Sequence, residues 1–138
     1  MPASLTDFPA GHQFPATSFT ITPEMSRAYR EATGDCQGEV YAAAGNAVPP
    51  LAVAALALGE LLKVVRLPEG SLHASESLEA RRVVPDGSEV VCSARLVQRS
   101  VRGGYVWSVI ESELSVGSEV AVVARATVLS PAATEARA

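Results

Sequence analysis

The stretch Pro49–Leu67, PPLAVAALALGELLKVVRL, decides how the rest of the chain is read. From Ala52 to Leu58 it carries no polar side chain on any helical face, and a helix that is apolar all round is buried all round. A Pro pair opens it, where a missing N–H costs little, and Arg66 stands in the last turn before Pro68 and Gly70. The apolar run is shorter than the ~20 residues a bilayer needs. Glu60, Lys63 and Arg66 interrupt it as the solvated end of the helix. The expectation is a core helix over 49–67, with strands around it and no membrane span.

Downstream of Gly70 the periodicity changes. Leu72–Val84 and Glu89–Val101 alternate in part, with Val91, Cys92, Ala94, Leu96 and Val97 as the apolar set of the second. Tyr105–Val116 sets Tyr105, Trp107 and Val109 against Ser108, then Glu111 and Glu113, and Glu119–Leu129 is rich in branched residues. Pro85-Asp86-Gly87, Arg102-Gly103-Gly104 and Gly117-Ser118 read as turns, so four consecutive strands form an antiparallel meander. Upstream, residues 1–15 read as an extended segment and Ala16–Ile21 as a first strand. Thr22-Pro23-Glu24 starts a helix with a Met25, Ala28, Tyr29, Ala32 stripe, which Gly34 ends. Residues 34–48 read as a loop with a helical turn around Val40–Ala44. The expected architecture is α+β: one long helix wrapped by a curved antiparallel sheet of about five strands over 16–130, with a disordered tail at 131–138. Such a sheet leaves an edge strand free to pair with a second chain.

The length of 138 residues fits one domain, and a 48% hydrophobic content allows a substantial core. The 11 Lys and Arg are scattered in a chain of net charge −4, unlike a nucleic-acid footprint. Cys36 and Cys92 form no framework and read as free thiols in a reducing cytoplasm. The first residues carry no basic region followed by an apolar one, so a cytoplasmic location without a signal peptide is expected.

Tyr29-Arg30-Glu31-Ala32-Thr33-Gly34-Asp35 resembles the aromatic…A-T-G-D segment of MaoC-like hot-dog dehydratases and (R)-specific enoyl-CoA hydratases. Val48-Pro49-Pro50 before an apolar helix resembles that family's approach to its central helix, and Val84–Val90 resembles its V-x-x-G-D-x-V turn. The resemblance spans about residues 14–130 and rests on the order and spacing of these segments. It implies a hot-dog fold that works as a homodimer or as a heterodimer with a second hot-dog chain. It also implies an acyl-CoA or acyl-carrier-protein thioester as ligand, reversible addition of water to a 2-enoyl thioester, and neither cofactor nor metal. Asp35 matches the family's catalytic Asp, and the ligand is expected along Tyr41, Val48, Leu51 and Ala52.

The chain departs from the family's G-D-x-N-P-x-H pattern. After Gly34-Asp35 come Cys36, Gln37, Gly38, Glu39, Val40 and Tyr41, without the Asn-Pro pair or the His. Hydration needs a base poised near neutral pH, usually imidazole. His73 is the candidate substitute, with His12 further away in the N-terminal segment. Pro49 and Pro50 also remove two N–H donors from the helix start, where the family polarises the thioester carbonyl. The pattern resembles the non-catalytic half of double hot-dog hydratases, or the partner subunit of a heterodimeric dehydratase. Three functions stay open: a hydratase or dehydratase or its degenerate subunit, a hot-dog thioesterase using Glu60, and a non-enzymatic assembly or ligand-binding module. Arg81-Arg82 stands as a pair that either meets a CoA phosphate or is solvated.

Overall fold

The computed structural model describes residues 2–132. Helix α1 (Pro23–Ala32) follows its Thr22 cap, whose side chain accepts the Met25 N–H at 3.1 Å. A short α2 (Gly38–Ala43) stands where a helical turn is expected around Val40–Ala44, starting two residues earlier. The core helix α3 runs Pro50–Leu61, ending before the expected Leu67. Leu62, Lys63 and Val64 tighten into a turn, with Lys63 N–H on Glu60 O at 3.2 Å and Val64 N–H on Leu61 O at 3.0 Å. Val65–Arg66 then becomes a strand, β3, parallel to β1 (Ala3–Ser4). Branched Val64 and Val65 favour extended backbone over a further helical turn, so Arg66 belongs to a strand and not to the end of a helix.

The main sheet has five strands, β2 (Thr17–Thr20), β4 (Leu72–Ala80), β5 (Glu89–Arg102), β6 (Tyr105–Val116) and β7 (Glu119–Pro131). Their order is β2-β5-β6-β7-β4, antiparallel throughout. The meander is therefore β5-β6-β7 alone. β4 pairs with β7 at the far edge, and the Pro85-Asp86-Gly87 turn lies in a crossing connection instead of a hairpin. That connection is held by backbone bonds from Val48 N–H to Val84 O (2.7 Å), Asp86 N–H to Asn46 O (2.9 Å) and Gly87 N–H to Ile21 O (2.6 Å).

Helix α3 packs across β2, β4, β6 and β7. Its inner face, Ala52, Val53, Ala57 and Leu61, is buried against Val90, Cys92, Leu96, Ile110, Leu114 and Val122 of the sheet. The helix is not covered all round: Leu51 and Ala55 are exposed and Leu58 is half-buried. On β6 the inward set is Val106, Ser108 and Ile110, opposite in phase to the Tyr105, Trp107, Val109 face expected from the sequence. Over 105–110 both faces carry large apolar side chains, so alternation there does not choose between them. Aromatic rings tolerate a wet edge, and the Arg102 guanidinium lies 4.1 Å from the Trp107 ring centroid on the outer side.

The segment assigned to 1–15 is built into the same body. Leu5 is fully buried and Phe14 is 2% exposed. Residues 11–14 run along β5, with Gly11 N–H on Leu96 O and Phe14 N–H on Ala94 O. Of the tail assigned to 131–138, Pro131 closes β7, and residues 133–138 lie outside the described ones.

Candidate functional site

The C-terminus of α1 sets the first site residue. Gly34 has φ +71° and turns the chain. Asp35 N–H returns to Arg30 O at 2.8 Å and Gly34 N–H to Glu31 O at 3.2 Å, the paired bonds of a Schellman end. Asp35 is thereby fixed at the start of the next segment. Its Oδ1 accepts the Gln37 N–H at 2.9 Å, and its Oδ2 accepts the Tyr41 hydroxyl at 2.7 Å. Tyr41 comes from α2, one helical turn further on, and Arg30 lies 5.7 Å from its ring centroid. The Tyr41 hydroxyl, then the Gln37 amide and the Arg30 charge, hold the Asp35 carboxyl below its ordinary value of 3.8. The same hydrogen bond, with burial and the Asp35 charge, pushes the Tyr41 phenol above 10.0.

Beside Tyr41 opens a slot of about 270 Å³. One wall is Tyr41 with Ala47, Val48 and Pro50 at the start of α3. The other is Ala80 and the crossing segment Arg81–Val84, and Val122 of β7 completes the lining. The turn between α2 and α3 needs left-handed backbone at Gly45 (φ +83°) and Asn46 (φ +59°), which Gly and Asn supply most readily.

Tyr41 and Val48 line this slot, whereas Asp35 lies outside its lining and is joined to it only through the Tyr41 hydroxyl. Leu51 and Ala52 do not line it: Leu51 points to solvent, 49% exposed, and Ala52 is fully buried in the core. At the helix start, Ala52 and Val53 both turn their N–H groups onto Pro49 O, at 2.9 and 3.2 Å. Pro50 has none, which leaves the Leu51 N–H as the donor of that turn without a partner among the described residues. His73 lies on β4 opposite Val128, with Nε2 2.9 Å from Glu76 Oε1, outside the slot lining. His12 sits in a three-ring cluster with Phe8 and Phe14, tilted against the first at 4.4 Å and edge-on to the second at 4.9 Å. Glu60 pairs with Lys63 at 2.6 Å on the solvent side of α3. Among the described residues no three His, Cys, Asp or Glu side chains gather as a metal set, and no helix is long and apolar enough to cross a membrane. The contributions of Arg30, Pro50, Val84 and Val122 escape the sequence, because each depends on which segments cross in space. The Gly45-Asn46 pair was the one local sign that the chain turns sharply there.

No family model matches the sequence, and no curated protein is similar to it in sequence. Solved structures are similar in fold. A MaoC-like dehydratase from Rhodospirillum rubrum superposes with a TM-score of 0.72 at 15% identity, over 94% of this chain and 97% of that one. An (R)-hydratase from A. caviae involved in PHA biosynthesis gives 0.68 at 18% identity, over 88% and 96%. The HadBC (3R-hydroxyacyl-ACP dehydratase) complex from Mycobacterium tuberculosis gives 0.72 at 17% identity, over 91% and 99%. The chain therefore has the α+β hot-dog fold, and its structural neighbours are MaoC-like dehydratases and (R)-hydratases.

Proposed function

We propose that this chain is a hot-dog subunit of an enoyl-thioester hydratase or dehydratase. It seats the acyl thioester in the slot beside Tyr41 and Val48, and a second hot-dog chain supplies the general base. One observation carries this reading. The carboxylate bonded to the slot residue Tyr41, Asp35, is bound on both oxygens and held acidic, while both imidazoles lie elsewhere. A carboxylate made less basic is a poor proton acceptor at neutral pH. A single free N–H at the start of α3 is also a thin oxyanion site.

A second chain is supported by two uncovered features. β4 ends the sheet with one side unpaired, and Leu51, Ala55, Leu58 and Leu62 form an apolar stripe at helical spacing on the outside of α3 and its cap. A second copy of this chain would bring the same Asp35–Tyr41 pair, so an active assembly calls for a different partner. A thioesterase using Glu60 draws no support from a carboxylate paired to Lys63 outside the slot.

The test is crotonyl-CoA hydration by the purified protein, wild type beside Asp35→Asn, with binding followed by calorimetry. Binding without turnover above background in either protein is the expected outcome. A positioned base contributes ~10²–10⁴-fold. A fast wild type, slowed a hundredfold or more by Asp35→Asn, would mean that the chain is complete by itself.

A further inference from the structure

β4 ends the main sheet with one row of its backbone groups unpaired. Its register with β7 assigns each side chain to a face. Glu76, Leu78 and Ala80 stand opposite Ala126, Ala124 and Val122, which are all buried, so these three lie on the α3 side of the sheet. Ser75, Ser77 and Glu79 are exposed on the other side. Leu78 packs against the core. Glu76, two residues away on the same face, has a side chain only 19% exposed. Burial pushes its carboxyl above the ordinary 4.5, and the His73 imidazole at 2.9 Å pulls it back.

A carboxylate at that position restricts what can lie along the edge. A strand added there covers Glu76 further, and a covered charge is costly without a counter-charge. His73, its hydrogen-bond partner, is a cation only when protonated. A second copy of this chain brings no better one. In a continuous sheet with both helices on the same side, opposed residues share a face. A two-fold pairing along the unbroken ladder 75–80 therefore sets Glu76, Leu78 or Ala80 of the copy against Glu76. The first is a like charge and the others are apolar. The two cations that follow the strand are paired already, Arg81 with Glu79 and Arg82 with Glu119.

We propose that β4 selects its partner by charge: it takes the edge strand of a chain of different sequence with Arg or Lys opposite Glu76, and it disfavours a second copy of this chain. This rests on the second chain proposed above and adds the chemistry of its docking strand. Backbone hydrogen bonds along an open edge accept any strand, and side chains on alternate positions give the choice. Here the choice lies between like and opposite charge across a half-buried pair. Arg suits the position well, because its planar fork meets both carboxylate oxygens.

The chain itself supplies the probe. Sedimentation equilibrium is run on wild type, Glu76→Lys and Glu76→Leu separately, and on an equimolar mixture of wild type with Glu76→Lys. A mixture of wild type with Ser77→Lys places the same cation on the opposite face, and a melting curve verifies the fold of each variant. The wild type and Glu76→Lys mixture is expected to associate about tenfold or more tighter than either protein alone. Ser77→Lys should give no such gain, and Glu76→Leu should self-associate more tightly than wild type. If Glu76→Leu aggregates, the two mixtures still decide. A wild type that pairs with itself as tightly as with Glu76→Lys overturns the proposal, and so does an equal gain from Ser77→Lys. No association in any arm removes β4 as a docking edge. Crotonyl-CoA binding by wild type is measured without association, so failure here leaves the thioester reading standing, and absence of that binding leaves the pairing result intact.

Discussion

Leu61 and Leu62 are neighbours at one end of α3, yet the chain treats them oppositely: 2% exposed against 37%. The contrast extends along the helix. Ala52, Val53, Ala57 and Leu61 are buried on the sheet, whereas Leu51, Ala55 and Leu62 face outward and Leu58 is half-covered. The two faces do not differ in chemistry. They differ in what lies opposite, because a single five-stranded sheet covers one side of a helix. This open apolar stripe and the unpaired edge of β4 are the features on which the proposed second chain rests. Apolar side chains on every face of a helix therefore do not mean that its own chain buries every face.

A charge on each face should separate the two most strongly. Val53→Asp places a carboxylate at a fully buried position. An unpaired buried charge costs several kcal/mol or more, against a total stability of about 5–15 kcal/mol. No cooperative thermal transition should remain, whereas Leu51→Asp should melt like wild type at low concentration. A native melt for Val53→Asp would show that α3 is not the core.

Truncation gives a smaller and more quantitative contrast. Leu61→Ala should lose about 2–5 kcal/mol in denaturant titration, and Leu62→Ala, measured on the monomer, less than about 0.5 kcal/mol. Similar losses at both would mean that Leu62 is covered within its own chain. Assembly follows next. Light scattering on the eluting protein at micromolar concentration should give the mass of a dimer for this chain or for its complex with another hot-dog chain. Leu51→Asp with Leu62→Asp should shift that mass to the monomer. A wild type that stays monomeric with and without such a partner removes the stripe as an interface.

The smallest effect belongs to the Asp35–Tyr41 pair. Asp35 is lowered, so the stability it adds is present above its ordinary 3.8 and is lost as pH falls through the lower folded value. Tyr41 is raised, so its contribution is present below 10.0 and is lost as pH rises through the higher folded value. The bond therefore holds across the neutral range. In Tyr41→Phe, the Asp35 carboxyl resonance should titrate closer to 3.8 while the melting temperature barely changes. An unmoved titration would assign the shift to the Gln37 amide and Arg30.

Much of the fold was legible, and the parts that were not are specific. Thr22, Pro23 and Gly34 bound α1 because caps act through groups within a few residues. The strands after Gly70 were likewise marked by their own composition and turns. The crossing segment was misread, because Pro85-Asp86-Gly87 has the same turn chemistry whether it joins neighbouring strands or carries the chain across to the opposite edge. That segment forms a wall of the slot, so the error in topology concealed the site. The phase of β6 failed for a related reason: Val106 and Ile110 compete with Tyr105 and Trp107, and only the packing under α3 decides.

Read without a structure, the residues require an apolar helix to be buried, an antiparallel sheet to bury it, and Asp35 to follow a helix end with no His in the next six positions. These are local facts, fixed by side-chain polarity, period and capping over a few residues. Which edge β4 joins, which face of α3 stays open, and that Asp35 meets Tyr41 beside a slot walled by the crossing segment 81–84 were settled only by the packed chain. Those outcomes depend on segments far apart in sequence, such as Val48 and Val84, which lie 36 residues apart. No local pattern encodes such contacts, because their energy arises only when the surrounding core has formed.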